Sequence, residues 1–503
     1  MSKKLHTSLL FVVVLFFLAV MAGCGGGNQV TTPAQEGFTN SNLNGTYSFS
    51  ATGENANSVV GFYTLAGSLQ ANGSGTITGG TLDLNVPGTT PISASISGTY
   101  NVLSDGRTQV SITAAGLTFA FQMVLLSNST GLVISFDNTD TASGSLDLQN
   151  SSAFSLASLA GSFAFNLSGI NDVGAADATA GAFTFNSSGN ITTGIQDFSD
   201  DGAVTQSAPI TGTLTNPTTG RGTLSLTTNE GALTFAYYVI DATHLRLVSL
   251  DTTSVPILSG DAFSQPSSFT LSTALPAGTF AFTLAGTDVG DAGAPYVSGG
   301  ILAADGNGNI TSGSQDITIA DETPSLNGAV TGTYTMAATG RGTMSLSSGQ
   351  SFAIYPTTTG GLLALDLGGL IIDSGTILQQ SGAPFSNGSI NGTYGMNISG
   401  FNIDEDGQVN GIAQFTANGS GSLSGAFDFN NIGTLSPSQT LTGSYSISAN
   451  GRGTGTLNIP NANALGLSNL SIIHYVVSSS RILFIEADPV QPAVGVFAQQ
   501  QTP

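Results

Sequence analysis

Four copies of one unit of about 115 residues constrain this chain more than any other feature. A strand-like pattern, G-[ST]-[YF]-x-[FM]-x-x-x-G, begins at Gly45, Gly161, Gly278 and Gly392, so its starts lie 116, 117 and 114 residues apart. A second pattern, G-[ST]-[YL]-x5-G-R, ends in every copy at an arginine, and each copy closes on Gly followed five residues later by Gln. Ordered anchors at near-constant spacing indicate tandem duplication, and the period suits a whole small domain better than a solenoid unit.

The repeats predict four domains, at residues 42–150, 158–266, 275–381 and 389–503, arranged in a row. The boundaries fall in Ser-, Ala- and Pro-containing stretches near 150–158, 264–275 and 381–389, where the strand pattern lapses.

Within a repeat the residues alternate with a period of two. In the first copy Tyr47, Phe49 and Ala51 share one face and Ser48 and Ser50 the other, which predicts a strand with one buried face. Continuing the pattern predicts strands near 45–52, 62–71, 76–84, 94–102, 108–114, 117–126, 131–137 and 143–149, and no helix beyond the N-terminal segment. Eight short antiparallel strands favour an up-and-down β-barrel, which has no exposed edge, and a β-sandwich is the alternative.

The N-terminal segment has the features of an export signal. Lys3 and Lys4 precede an apolar stretch over residues 9–20, and Ala22 and Gly23 precede Cys24, the only cysteine of the chain. These residues resemble the lipobox of bacterial lipoproteins, although Met21 stands where that family more often has Leu. The resemblance implies a signal peptide over residues 1–23, a lipid on Cys24, a tether over 24–41, and a place at the outer membrane or cell surface.

Composition excludes several classes of protein. The chain has 28 Phe and is 40% hydrophobic, whereas disordered chains have few aromatic and few hydrophobic residues. Its formal charge is −22, and no lysine follows Lys4, so the clustered basic residues that bind nucleic acid are absent. Because Cys24 is the only cysteine, the repeats contain neither a disulfide nor a cysteine nucleophile.

An acid and an arginine recur in every copy, 24 or 25 residues apart. We interpret them as structural ion pairs within each repeat, or alternatively as parts of a ligand site in each barrel: Asp83 with Arg107, Asp197 with Arg221, Asp316 with Arg341, and Asp428 with Arg452. A further acid ends the seventh strand of each copy and is another possible partner for the arginine: Asp137, Asp251, Asp366 and Glu486.

Acidic loops follow the first strand of each repeat. The last one contains Asn402, Asp404 and Asp406 in the spacing that opens a calcium loop, but Ala413 occupies the twelfth position, where a bidentate Glu is required. These three residues form a weak Ca²⁺ candidate, and no other cofactor is predicted. His244 and His474 are isolated and are predicted to be strand surface residues.

The first strands also resemble, loosely, those of avidin-like and lipocalin-like barrels, which carry Gly-x-Trp where this chain has Gly45-Thr46-Tyr47. The whole chain is similar to uncharacterised repeat-bearing surface lipoproteins of bacteria. No catalytic residues are predicted. The leading hypothesis is a lipid-anchored envelope protein whose repeats serve binding, adhesion or spacing, with an unknown extracellular or envelope ligand. Carriage of small apolar ligands inside the barrels and hydrolysis of an extracellular polymer are the alternatives.

Overall fold

The computed structural model describes residues 37–55, 61–252, 255–460 and 469–501. The predicted signal peptide, Cys24 and most of the predicted tether lie outside these ranges. No helix in the described part is long and apolar enough to cross a membrane.

Each repeat forms an antiparallel barrel in which strands pair with their neighbours in sequence, except across a break in barrels 2 and 3. Barrel 1 is closed and comprises β1 Asn44–Asn55, β2 Phe62–Asn72, β3 Thr76–Asn85, β4 Ile92–Val102, β5 Arg107–Ala114, β6 Leu117–Leu125, β7 Thr130–Ser135 and β8 Asp140–Leu148. The predicted all-β, eight-stranded up-and-down architecture is confirmed, and the sandwich alternative does not apply. All eight strand positions predicted for this copy match within a few residues.

Barrels 2 and 3 differ because their fourth strand is broken in two. Barrel 2 comprises β9 Gly161–Ile170, β10 Ala176–Phe185, β11 Ile191–Asp200, β12 Ala203–Pro209, β13 Thr211–Leu214, β14 Arg221–Thr228, β15 Gly231–Asp241, β16 His244–Ser249 and β17 Ile257–Ser264. A bridge between Asn190 and Thr213 connects its two edges.

Barrel 3 closes through β20, which pairs with β19 and with both halves of the broken strand. It comprises β18 Gly278–Asp288, β19 Ala294–Ala304, β20 Asn309–Ile319, β21 Ser325–Ala329, β22 Gly332–Met336, β23 Gly342–Leu346, β24 Ser351–Pro356, β25 Gly361–Asp366 and β26 Ile371–Gln379.

Barrel 4 is closed with eight strands, like barrel 1. It comprises β27 Asn391–Asn402, β28 Gly407–Asn418, β29 Ser422–Asn431, β30 Thr434–Ile447, β31 Arg452–Asn458, β32 Asn469–Ser478, β33 Arg481–Glu486 and β34 Ala493–Gln499.

The segments before the barrels carry short helical turns. Two α-helical turns, α1 Leu156–Leu159 and α2 Leu271–Ala274, precede barrels 2 and 3. Single 3₁₀ turns at Asn40–Asn42, Ser151–Ala153 and Asn387–Ser389 precede barrels 1, 2 and 4, and another, Val289–Asp291, lies within barrel 3 between its first two strands. The prediction of no helix is therefore wrong at α1 and α2. Each is one turn long, too short for a 3.6-residue period to appear in the sequence. Leu156 and Leu159 pack into the core of barrel 2.

The barrels do not form a row. Besides the four barrel cores, four smaller apolar clusters lie between barrels: Ala66 with Tyr238 joins barrels 1 and 2, Ala180 with Tyr355 joins 2 and 3, Val297 with Tyr475 joins 3 and 4, and Val124 with Ile412 joins 4 and 1. The four junctions close a ring, and residues 37–503 group as one compact unit.

Packing in the ring buries parts of the outer faces of the strands. Ser48 was expected to point to solvent, but it is fully buried, and Arg246 of barrel 2 donates to its hydroxyl over 3.4 Å. The period of two identified which face lines the barrel but not that the opposite face is covered by a neighbouring barrel.

Candidate functional site

The recurring acids and arginines meet across the junctions, not within the repeats. Each acid on the third strand of one barrel binds the arginine that opens the fifth strand of the next barrel: Asp83 with Arg221, Asp197 with Arg341, Asp316 with Arg452, and Asp428 with Arg107. The within-repeat pairing inferred from sequence is thus wrong in its partners. Every repeat carries the same acid and arginine 24 or 25 residues apart, so the sequence spacing could not show which repeat supplies the partner of each acid.

Three of these pairs are bidentate and deeply buried. Arg221 Nε and Nη2 donate to Asp83 over 2.7 and 2.8 Å, and Arg452 Nε and Nη2 donate to Asp316 over 2.9 and 2.6 Å. Arg341 binds Asp197 in the same way. The three carboxylates have no exposed surface, so each needs its counter-charge in place.

A tyrosine completes each of these three sites. It lies beside the arginine on the neighbouring strand and donates its hydroxyl to the same carboxylate: Tyr238 to Asp83, Tyr355 to Asp197, and Tyr475 to Asp316. Burial raises the pKa of all three hydroxyls well above the usual value, which keeps them protonated as donors. Sequence analysis missed these tyrosines because they follow the arginine by 17, 14 and 23 residues and so show no constant spacing.

The carboxylates also organise the backbone of their own barrel. The N–H groups of Ser207, Asn327 and Ser438 donate to Asp197, Asp316 and Asp428. Each donor lies in a bulge of the fourth strand and has a left-handed φ of 51–57°. In barrel 1 the hydroxyl of Ser93 donates to Asp83 instead.

The junction between barrels 4 and 1 is built differently. Arg107 Nη1 reaches Asp428 over 3.2 Å, while its Nε binds Asp105 of its own turn over 2.8 Å. Val124 stands where the other barrels have tyrosine. Burial raises the pKa of Asp428, against the lowering effect of the Ser438 N–H and of Arg107. The negative charge of this acid is therefore stabilised less than a bidentate arginine would stabilise it.

The glutamine that closes each repeat binds the next barrel. Gln149 donates to Val239 O over 2.6 Å, Gln380 to Val476 O over 2.6 Å, and Gln500 to Leu125 O over 2.8 Å. Gln265 donates to the carbonyls of Gly340 and Pro356. The recurrence of this residue was visible in the sequence, but its role depends on the ring.

The junction between barrels 1 and 2 has a further ion cluster. Arg246, which is 1% exposed, donates to Asp147 of barrel 1 over 2.8 Å and lies 3.5 Å from Asp261. His244 Nε2 lies 2.9 Å from the same Asp261, and its ring stacks on Phe263. In the described part of the chain, five arginines are already paired with carboxylates and are not free to bind a ligand: Arg107, Arg221, Arg246, Arg341 and Arg452.

The seventh-strand acids are not partners of the arginines. Asp251 accepts the N–H of Thr234, Asp366 that of Gly368, Glu486 the side-chain amide of Gln491, and Asp137 the N–H of Thr139. They stabilise turns and ends of strands.

Each barrel also buries carboxyl groups. Asp177 in barrel 2 is 2% exposed and lies within hydrogen-bonding reach of the Glu230 carboxyl group. Asp373 in barrel 3 is fully buried and has no hydrogen-bond partner for its carboxylate oxygens among the described residues. Burial raises the pKa of both well above the usual range, with Glu230 adding to the effect at Asp177 and Asp366 at Asp373. Burial also raises the pKa of Glu486 in barrel 4. Burial therefore favours the neutral, protonated form of these carboxyl groups.

His474 lies in the interior of barrel 4, which corrects its predicted place on a strand surface. It is fully buried against Phe497, and neither ring nitrogen has a partner in the described part of the chain. Burial lowers its pKa to about 3, so the ring is neutral.

The acidic loops after the first strands meet around an opening of about 870 Å³ that all four barrels line. Its lining includes Asp177, Asp291, Asp321 and Asp406 and, among the described residues, no Lys, Arg or His. Asp291, Asp321 and Asp406 are exposed, and carboxylates of one sign around a concave surface concentrate negative potential there.

The calcium candidate residues lie beside this opening. Asn402 is buried and accepts the N–H of Asp404 over 3.1 Å, while Asp404 and Asp406 are exposed. No group of three or more His, Cys, Asp or Glu residues in the described ranges could hold a metal ion. A site built on Asn402, Asp404 and Asp406 stays a prediction.

No protein-family model matches the chain, and no curated protein sequence matches it either. Among solved structures it is similar to a single-substitution mutant of the vaccine antigen transferrin binding protein B from Haemophilus parasuis Hp5, with 11% identity, 75% of this chain and 84% of that chain covered, and a TM-score of 0.22. It is also similar to isotype 1 transferrin binding protein B from serogroup B Neisseria meningitidis, with 9% identity, coverage of 73% and 83%, and a TM-score of 0.22. Likeness at this level assigns no function.

Replacing Asp316 with Asn should destabilise the ring strongly. The substitution keeps the shape of the side chain but leaves Arg452 in a buried site without its counter-charge, which costs about 3–5 kcal/mol. Urea unfolding of the native chain and the variant measures the difference. Asp291→Asn, at an exposed carboxylate of the same barrel, is the matched control and should leave stability nearly unchanged. Equal effects of the two substitutions would contradict a structural role for the pair.

His474 should make barrel 4 sensitive to acid. Its pKa is about 3 in the folded chain and about 6.5 in the unfolded chain. The unfolded chain therefore takes up a proton that the folded chain does not, and the free energy of unfolding, which is unaffected above pH 6.5, decreases as the pH falls from 6.5 towards 3. The difference in unfolding free energy between the native chain and His474→Leu should therefore change by about 1.4 kcal/mol per pH unit below 6.5. A difference that is constant from pH 7 to 4 would show that the ring is not buried in the neutral form.

Proposed function

We propose that this chain is an exported, lipid-anchored cell-surface protein whose ring of four barrels is a non-catalytic binding module. The observation that carries the proposal is the closed ring itself. The polar groups that recur in every repeat join one barrel to the next, so the repetition builds one rigid body with several equivalent surfaces. Repeated surfaces on a rigid body strengthen binding to a repetitive or multivalent partner.

The packing of the barrels argues against carriage of ligands inside them. Glycines of the second strand lie directly under phenylalanine rings, and an added Cβ would come within 2.4–2.7 Å of a ring atom: Gly67 under Phe49, Gly181 under Phe165, and Gly300 under Phe282. The openings of about 870, 420 and 540 Å³ all involve residues of more than one barrel. These three openings are therefore not interiors of single barrels.

The placement of the acids argues against hydrolysis. A glycosidase needs two carboxyl groups that flank a bond of the substrate. Asp177 and Asp373 are buried in different barrels, and the acids of the recurring pairs are neutralised by arginine. The exposed acids occupy turns, such as Asp404 and Asp406.

The proposed anchor explains how the ring stays at the membrane. A lipid on Cys24 and a tether over residues 24–41 would hold barrel 1 close to the surface, and several acyl chains make such anchoring stable. The ring would then face the periplasm or the outside of the cell.

Substituting Cys24 should release the protein from the membrane. In cells given an alkyne-labelled fatty acid, the native chain should be labelled and partition into detergent, whereas Cys24→Ser should be unlabelled. Thr31→Ala, a matched change in the proposed tether, should behave like the native chain. Labelling of Cys24→Ser would contradict lipid attachment at this residue.

Binding itself is tested with the full mature chain immobilised on beads. We expect it to retain at least one class among neutral polysaccharides, an anionic polysaccharide, phospholipid vesicles and extracellular proteins, without release of cleaved products. Retention of none of them, or turnover of a retained polymer, would overturn the proposed function.

A further inference from the structure

We propose that the outer grooves at the barrel junctions bind neutral, hydroxyl-rich glycan chains. This inference rests on the proposed binding function and gives it a site and a ligand class. A junction groove is defined here as the cleft between the fourth-strand bulge of one barrel and the outer faces of the fourth, fifth and sixth strands of the next barrel.

Two junction grooves are formed by equivalent residues. One, of about 540 Å³, lies between barrels 4 and 1, and another, of about 420 Å³, lies between barrels 3 and 4. All eleven residues that line the first have a register-equivalent residue in the second, from Pro437 and Leu326 in the bulges to Phe136 and Ala487 after the seventh strands. Because the repeats are copies of one unit, the two grooves present the same arrangement of residues twice on one molecule.

The floor of each groove is a grid of small neutral polar side chains. They point outward from paired strands, where neighbours lie about 4.8 Å apart across the strands and about 7 Å apart along them. Their hydroxyl and amide groups both donate and accept hydrogen bonds, as sugar hydroxyls require. The members are Thr99, Asn101, Gln109 and Ser111 in one groove, and Ser444, Ser446, Thr454 and Thr456 in the other.

The sides of the grooves are apolar. Pro437 and Phe136 flank one floor, and Leu326, which is 47% exposed, flanks the other. Apolar side chains beside a polar floor match a sugar ring, which has C–H faces and hydroxyl edges.

Charge selects a neutral ligand. The charged side chain that lines the groove between barrels 3 and 4 is Arg452, and it is neutralised by its bidentate contact with Asp316. The formal charge of −22 repels polyanions. Neither feature disfavours an uncharged polysaccharide.

The corresponding floors of the other two barrels carry the same chemistry: Thr213, Thr215, Thr223 and Ser225 in barrel 2, and Thr333, Thr335, Thr343 and Ser345 in barrel 3. A polymer with repeating units could engage several of these floors at once, so that weak contacts add up to stable binding.

Affinity electrophoresis in gels containing dextran, laminarin or mannan tests the proposal with the full mature chain. We expect at least one of these neutral polysaccharides to retard the native chain. A variant with Gln109→Leu, Ser111→Ala, Thr454→Val and Thr456→Val removes hydrogen-bonding groups from both grooves while keeping strand-forming side chains. Its dissociation constant for that polymer should rise at least about fivefold, because binding at several sites depends steeply on each.

The matched control is Thr113→Val with Thr118→Val, on the same strand pair as the first groove but outside its lining. It should migrate like the native chain. If the variant with four substitutions unfolds at a lower temperature than the native chain, the double variant Ser111→Ala with Thr454→Val makes the same comparison. Equal retardation of groove and control variants, no retardation by any of the three polymers, or stronger retardation by heparin would overturn the inference. The bead assay with vesicles and proteins judges the proposed function separately.

Discussion

The buried pairing of aspartate and arginine across barrel junctions is the interaction on which the whole architecture depends. A carboxylate such as Asp316, with no exposed surface, is costly to bury and becomes tolerable only when the next barrel supplies Arg452 and Tyr475. The acid also fixes the bulge of its own barrel through the N–H of Asn327. One side chain therefore couples the shape of a barrel to the position of its neighbour.

A head-to-tail contact repeated along a chain produces either an open array or a ring, depending on the rotation at each junction. Here four rotations close the ring, and the final contact, Arg107 with Asp428, uses the same elements as the other three. It lacks the tyrosine and shares its arginine with Asp105. The junction that joins the two ends of the chain is thus the least strongly paired, which places the easiest point of opening between barrels 4 and 1.

Much of the fold could be predicted from sequence, because alternation and repetition are local signals. Tyr47, Phe49 and Ala51 identified the inner face of a strand, and the recurring Asp and Arg identified the polar groups that matter. The partner of Asp83 could not be predicted, since Arg107 and Arg221 carry the same motif. The burial of Ser48 and His474 also depends on tertiary packing that leaves no periodic trace.

Residues near both ends of the described chain contact one turn of barrel 1. The N–H of Phe38 donates to Ser104 O over 3.0 Å, and the side chain of Gln500 donates to Asp105 O over 2.9 Å. The linear order of the repeats is consequently arbitrary with respect to the ring. A circularly permuted gene, with its termini moved to the segment near 150–158, 264–275 or 381–389, encodes the same set of junctions.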